Sequence, residues 1–463
     1  MQSQIGKSRH ALEEICGLMR EGALAPLRRM LTDEQILAAC RKANYEFRER
    51  TFSPIVTVFL FLMQAVQREQ SFAASCPALM APLFSRTGSG SLHFSSSATS
   101  QARSRLPKAV LEQLVTQSCQ TGAAPAFEHW RDMRLLALDC ATLSMPAEKA
   151  LFEFFGRPRA RHTYMRFPLA TLSTLLAVGS SLIVGHNFGP YDRGEHQTAA
   201  PLLKLLGAND LLLADRHFAG SPNLHRVRQQ GANFLMRKNA RLIPERLPVL
   251  KQLGRDDFIT EIPMSKEARL KDPNLPEKVR VRIFKARWRA PSGEKVTEWF
   301  VTSLEDAKKF PPKTMANLYH RRWQIETSYR EFKDTMHGDI LRSKTVDNIQ
   351  KELLAHVLAY QLVRRLMLDA AKKHQMEPTR MSLLNTARLV LVFSTIMQRA
   401  PTTALPHLYQ RLLDAIASNP IDVRPGRLEP RALARECKHY LYLRIPRSEW
   451  RDRRLAGLPE RLR

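Results

Sequence analysis

The chain has 463 residues, 44% of them hydrophobic and 25% charged, enough for about two to four domains with a sizeable core. Its 72 Lys and Arg outnumber 44 Asp and Glu, and the net charge of +28 favours a polyanionic partner such as nucleic acid, a generally basic solvated surface being the competing reading. The longest apolar run, Ile55 to Val66, falls far short of the roughly 20 residues that span a bilayer, and six cysteines with no CxxC pair exclude a zinc ribbon and a disulfide framework.

Met1 to Arg20 lacks an apolar segment and carries Glu13 and Glu14, so no secretory signal is expected and a reducing cytoplasm fits. Residues 1–84 read as helical. Leu31-Thr-Asp-Glu offers a capped start, Ile36 to Phe47 is helix-length, and Ile55 to Val66 reads as a buried helix. Ser85 to Ser100 is rich in Ser and Gly and reads as a loop. Gln101 to Lys108 and Val110 to Gln117 follow as two short helices bearing Arg103, Arg105 and Lys108. They suit a DNA-binding unit or a solvated hairpin equally.

From residue 133 the pattern changes. Arg134 to Asp139, Phe167 to Leu176, Ser180 to Gly185, Asp210 to Asp215 and Asn233 to Arg237 are strand-like, while Glu195 to Leu206 and Asn223 to Gln230 are helical. Strands alternating with helices predict an α/β sheet. Residues 240–303 break that rhythm. Lys278 to Phe284 alternates with period two, and Lys295 to Thr302 follows a Pro291-Ser-Gly turn, so a β-rich insertion is expected. Helices resume at Lys313 to Met336, Val346 to Lys373, Met381 to Met397 and Thr403 to Ser418, ahead of a basic tail with Arg424, Arg427, Arg431, Arg435 and Lys438. The expected division is a helical region 1–130, the first part of a catalytic domain 131–239, the insertion 240–303, the catalytic helix and rest of the core 304–375, and a helical, basic region 376–463.

The chemistry concentrates in a few acids and one helix. Asp139 and Asp215 each end a short apolar run, and side chains at strand carboxyl ends of open α/β sheets face the functional crevice. Tyr319, Arg322, Glu326 and Lys333 lie at offsets that put them within roughly 60° of one another on a helix, with Arg330 close to the same line. A surface helix normally shows Leu or Ile at that spacing. Two strand-end aspartates and one helical glutamate are a minimal ligand set for two Mg²⁺ ions, which prefer oxygen donors and keep positions open for phosphate and water. Taken singly, each Asp also suits a cap or turn, and Glu326 suits an ion pair with Arg322 or Arg330.

The Tyr-x2-Arg-x3-Glu-x6-Lys spacing met by Tyr319, Arg322, Glu326 and Lys333 resembles the signature of the DDE transposases of the insertion-sequence-four family. Leu138-Asp139-Cys140-Ala-Thr is similar to that family's first-acid motif, with Cys140 in place of Gly. Leu212-Leu-Ala-Asp215-Arg-His-Phe is similar to its second, with His217 in place of Gly. Leu341-Arg-Ser-Lys-Thr and Gln101-Ala-Arg-Ser-Arg-Leu-Pro extend the resemblance over most of the chain.

The resemblance implies an RNase H-like core interrupted by a β-rich insertion, with helical regions before and after. It implies metal-dependent cleavage at the terminal inverted repeats of an insertion element and strand transfer to target DNA by a cut-and-paste route. Asp139, Asp215 and Glu326 would hold two Mg²⁺, with Mn²⁺ as an alternative. Tyr319, Arg322 and Lys333 would grip phosphates, and Arg330, from its place near the same helical line, is a further DNA-binding candidate. Trp299 or Trp288 would stack an extruded base. Trp299 lies one strand position beyond the expected one, where this chain has Glu298, so a core Trp is its competing reading. Trp323 is expected to pack the helix onto the sheet, and His196 to be a satisfied structural histidine, a place near the metals being the competing reading. Partners would be double-stranded DNA and a second copy of the chain, in a bacterial cytoplasm near the nucleoid, with no membrane. The alternatives are a catalytically decayed DNA-binding descendant and an RNase H-like nuclease without strand transfer.

Overall fold

The computed structural model describes residues 24–48, 52–67, 96–120, 128–156, 166–289 and 295–422, with Phe72, Ser75, Cys76, Glu449 and Asp452. Arg424, Arg427, Arg431, Arg435 and Lys438 of the basic tail, and the Ser/Gly-rich stretch up to 95, lie outside the described residues.

The strands are β1 (His129–Trp130), β2 (Met133–Ser144), β3 (Leu169–Ala177), β4 (Ile183–Pro190), β5 (Asp210–Ala214), β6 (Asn233–Arg237), β7 (Lys251–Gly254), β8 (Asp257–Pro263), β9 (Lys278–Arg289) and β10 (Lys295–Thr302). They form one sheet in the order β4-β3-β2-β5-β6-β10-β9-β8-β7, with β1 paired to β2. β2, β3 and β4 make an antiparallel meander, whereas β5 runs parallel to β2 and β6 parallel to β5. This five-strand arrangement is the RNase H-like core that the sequence leads one to expect.

The insertion continues the same sheet. β10 pairs antiparallel with β6 through Phe300↔Arg237 and Thr302↔Leu235. Only β9 and β10 are legible in the sequence, because β7 is short and largely exposed and acids interrupt the apolar residues of β8. Arg282 of β9 is fully buried. Its guanidinium donates to both Asp257 carboxylate oxygens at 2.7 and 2.6 Å and to the carbonyls of Leu304 and Phe310.

Side-chain alternation gives the sheet two apolar faces. Leu135 and Ala137 of β2 enter one core with the flanking helices, and Leu136 and Leu138 enter the other with the Ser221–Gln229 helix. The first core is built around the 29-residue helix Val346–His374. Gln361 of that helix accepts from the Ile183 N–H and donates to the Ile183 carbonyl, both at 2.9 Å, clasping the start of β4. The expected buried helix is present as Pro54–Val66, every residue of it buried, and Thr32 caps Asp33–Lys42 with a full capping box.

Two expectations change here. Ser96 to Ser100 belong to a helix, Ser96–Arg105, rather than to a loop. This helix and Lys108–Gln120 are held against the long helix, whose buried Lys351 donates to the carbonyls of Arg103 and Ser104. β2 also does not stop at Asp139. Residues 140–144 carry on as strand because β3 pairs with them through Leu169.

Candidate active site

The acids sit where β5 ends. Leu138↔Ala214 is the last pair between β2 and β5, so Asp139 and Asp215 come next on adjacent parallel strands. Asp139 Oδ1 accepts from the Cys140 N–H at 2.8 Å, and Asp215 Oδ1 accepts from the His217 N–H. The third acid arrives on a helical run that changes pitch repeatedly: α over Pro312–Tyr319, 3₁₀ over His320–Arg322, α over Trp323–Arg330 and π over Glu331–Thr335. Short 3₁₀ and π segments inside a helix are frequent at functional sites.

The pitch change decides which residues meet. Residues three apart eclipse in a 3₁₀ turn, so Arg322 stacks over Tyr319, its guanidinium carbon 5.7 Å from the ring centroid. Arg322 then reaches both acids, donating to Glu326 Oε1 at 2.5 Å and lying 3.8 Å from Asp139 Oδ2. Its Nε is buried without a hydrogen-bond partner. Burial pushes the Asp139 carboxyl up to about 6, and the charges of Asp215 and Glu326 push the same way. The Cys140 N–H and Arg322 oppose them. Arg322 thus bridges Asp139 and Glu326, while Asp215 stands beside Asp139 through the parallel register of β2 and β5. Among the described residues no three acid, imidazole or thiol side chains converge on a single ligating point. Arg322 instead supplies the positive charge between Asp139 and Glu326. The donor set, carboxylates without thiolate, fits a hard divalent cation.

A family model of the transposase DDE domain matches residues 130–362, half of the chain and the whole span that carries the three acids. The chain belongs to the DDE transposases. It is similar to the transposase InsG for insertion sequence element IS4 from Escherichia coli (strain K12), 28% identical over 351 residues, covering 73% of this chain and 76% of that one. It is also similar to a probable transposase for insertion sequence element IS5377 from Geobacillus stearothermophilus, 22% identical over 350 residues, covering 75% and 85%. Among solved structures it resembles the piggyBac transposase synaptic complex with hairpin DNA, at 12% identity over 85% of each chain and a TM-score of 0.44. This protein is therefore a DNA transposase, of the insertion-sequence-four type that its Tyr-Arg-Glu-Lys spacing resembles.

The other anticipated residues of the transposase do not all reach the acids. Tyr319 is buried. Its hydroxyl donates to the Ala214 carbonyl at 3.2 Å and its ring meets Phe300 edge-on. Burial pushes its phenol up to about 12, so it stays a neutral donor. Lys333 is half-buried in the π segment, and Arg330 is exposed. Trp299 faces the second core, edge-on to Phe258, with Lys285 Nζ 5.1 Å from its ring centroid. Trp288 faces the first core instead, against Phe300 and His320, and so shares the sheet face of the Glu326 helix. Trp323 overturns its expectation. It is 56% exposed and does not pack on the sheet. The chain turns it outward because Ile325 and Ser328 occupy the buried side.

Three further residues were not singled out in the sequence. The Tyr329 hydroxyl donates to the Asp139 carbonyl and accepts from Thr174, both at 2.8 Å. Gln324 accepts from the Gly179 N–H at 3.1 Å and donates to Ser181 Oγ at 3.0 Å. Both fasten the Glu326 helix to the sheet. Arg237, at the end of β6, pairs with Glu298 and adds positive charge near Tyr319. Polar residues at helical spacing beside Glu326 were the only signal for the first two. Cys140 and His217 both keep negative φ, so neither position uses the freedom a glycine would supply.

Proposed function

We propose that the transposase cuts DNA at the terminal inverted repeats of its element and joins the freed 3′ end to target DNA. Asp139, Asp215 and Glu326 would hold two Mg²⁺ ions, with Mn²⁺ able to serve. What supports this reading is that Asp139 and Asp215 come next to each other after the last pair of two parallel strands, and that Arg322 lies within ion-pair distance of both Asp139 and Glu326. Bound there, the ions supply activation of the attacking hydroxyl and charge stabilisation for the leaving oxygen of an in-line displacement.

The chain's own groups have separable tasks. Arg322 compensates the charge of Asp139 and Glu326 and so lets them lie close to one another. Lys333 and the exposed Arg330 extend that positive line along the helix for phosphates farther from the cut. Tyr319 acts from below, holding the end of β5 through the Ala214 carbonyl. For base stacking the side-chain directions favour Trp288 over Trp299, since only Trp288 lies on the helix face. Two element ends must be held together for joining, so a homodimer in the end complex is the natural assembly.

The test incubates purified protein with DNA carrying the element's own ends and Mg²⁺, beside Glu326→Gln. Metal-dependent cuts at the repeat boundary, lost in the variant, support the reading. Binding without cleavage by either protein would favour a decayed, DNA-binding descendant. Cleavage without any joined product would favour a nuclease.

A further inference from the structure

The loop that follows Asp215 carries the exposed residues Arg216 and His217. His217 stacks on His196, with ring centroids 4.3 Å apart and planes 22° apart. Phe218, buried, meets both rings edge-on, each at 5.7 Å. Asn223 holds His196 through its Nδ1 at 3.2 Å, and Glu195 lies 3.5 Å from His217 Nε2. The result is a fixed, solvent-facing aromatic pair, joined to the acid site through the His217 N–H on Asp215.

A cleft of about 830 Å³ opens beside His196 and runs between the Ser221–Gln229 helix and the insertion. Asn223, Arg226, Arg241 and Arg246 line it. Arg226 gives one N–H to Asn223 Oδ1 at 3.0 Å. Arg241 and Arg246 are exposed and make no ion pair among the described residues. Of the acids lining the cleft, Glu267 is engaged by Lys271 Nζ at 2.7 Å, and Asp272 accepts from the Asn274 N–H.

A stacking surface beside a basic channel is the arrangement that binds single-stranded nucleic acid without reading its sequence. A paired base already has both faces covered, so the imidazole stack has nothing to offer a closed duplex. We infer that the cleft takes the unpaired DNA strand adjoining the cleavage point, with a base on the His217–His196 pair and phosphates on Arg226, Arg241 and Arg246. The inference rests on the transposase chemistry proposed for Asp139, Asp215 and Glu326. It adds a second, metal-independent contact on the opposite sheet face from the Glu326 helix.

The experiment uses the full chain in EDTA and two fluorescent element-end DNAs, one blunt and one with an unpaired oligothymidine tail at the cleavage boundary. Anisotropy gives both affinities for the wild type, His217→Ala, His217→Phe and the double variant Arg241→Ala/Arg246→Ala. The tail is expected to tighten wild-type binding. His217→Ala should lose about five- to a hundredfold on tailed DNA and nothing on blunt DNA. His217→Phe should restore the loss, since a ring without ring nitrogens still stacks. The double variant should flatten the salt dependence for tailed DNA only. Equal affinity of the wild type for both DNAs, equal loss by His217→Ala on both, or failure of His217→Phe to restore binding would each overturn the proposal. Blunt-DNA affinity also reports whether each variant folds. Failure of the wild type to cut the element end with Mg²⁺ would count against the chemistry and leave the tail measurement to judge the cleft.

Discussion

Asp139→Asn should stabilise the metal-free protein at neutral pH, although it deletes one of the three acids proposed to hold metal. The carboxyl is three-quarters buried, 25% exposed, and its pKa is pushed up to about 6 from an ordinary value near 4, first by desolvation and then by Asp215 and Glu326. A raised carboxyl binds its proton more tightly in the folded chain than in the unfolded one. Its contribution to stability is therefore complete below pH 4 and disappears as pH climbs through 6. Two pH units correspond to roughly 3 kcal/mol, already net of the opposing Cys140 N–H and Arg322. An amide never ionises and can still accept from Cys140. Denaturant melts of the wild type and variant in EDTA, at steps from pH 4 to 7.5, should start with little difference and separate by about 1–3 kcal/mol in the variant's favour. Added Mg²⁺ should close the gap by stabilising the wild type alone. A variant less stable than the wild type at pH 7.5, or an offset that ignores pH, would refute the idea that the fold holds this acid ionised at a cost.

Other perturbations test the supports around the site. Tyr319→Phe removes one buried hydrogen bond to Ala214, so melting should fall by about 1 kcal/mol and end cleavage should slow while DNA affinity holds. Arg282→Ala leaves the buried Asp257 without its partner and should cost about 3–5 kcal/mol, whereas the Arg282→Met/Asp257→Leu pair should cost much less, both read by chemical denaturation. Glu352→Ala strips the partner from the N–H groups of Arg342 and Ser343, each at 2.9 Å, and should cost a similar amount, with the 341–345 loop the first to gain hydrogen exchange. Trp323→Ala should leave melting within about 0.5 kcal/mol of the wild type, because its ring faces solvent.

What the sequence discloses about this protein follows physical period. Apolar runs with strand length placed β5 and β6 to within a residue, since each is an uninterrupted buried or half-buried segment, and the Pro291-Ser-Gly turn placed β10, whose first half is partly exposed. The continuation of β2 past Asp139 was not legible. Cys140 and Ser144 carry no strong strand preference and Thr142 is a lone strand former among them, so it is pairing with β3 that keeps the segment extended. The acids were legible as residue types at plausible ends. The adjacency of Asp139 and Asp215 depends on the parallel register Leu138↔Ala214, which no local pattern encodes. Tyr329 and Gln324 escaped notice because a phenol and an amide on a helix look like ordinary surface until their partners on the sheet are known.

The helical run from Pro312 to Thr335 shows why a uniform helix was the wrong ruler for this site. On one regular pitch the signature residues form a single stripe, and the stripe would have to be wholly exposed or wholly buried. The 3₁₀ turn at His320–Arg322 lets Tyr319 enter the core and carry Arg322 directly above it. The α turn that follows presents Glu326 to Arg322 while Ile325 faces inward. The π segment buries Phe332 yet leaves Lys333 half-exposed beyond the acids. Glu331 beside it pairs with the buried Arg364 and ties the segment to the long helix. A straightened helix could keep the spacing Tyr-x2-Arg-x3-Glu-x6-Lys and still lose the site. The change of pitch sets which residues face the acids, and the buried groups that accompany it, Tyr319, Phe332 and Arg364, lie outside the set of acids.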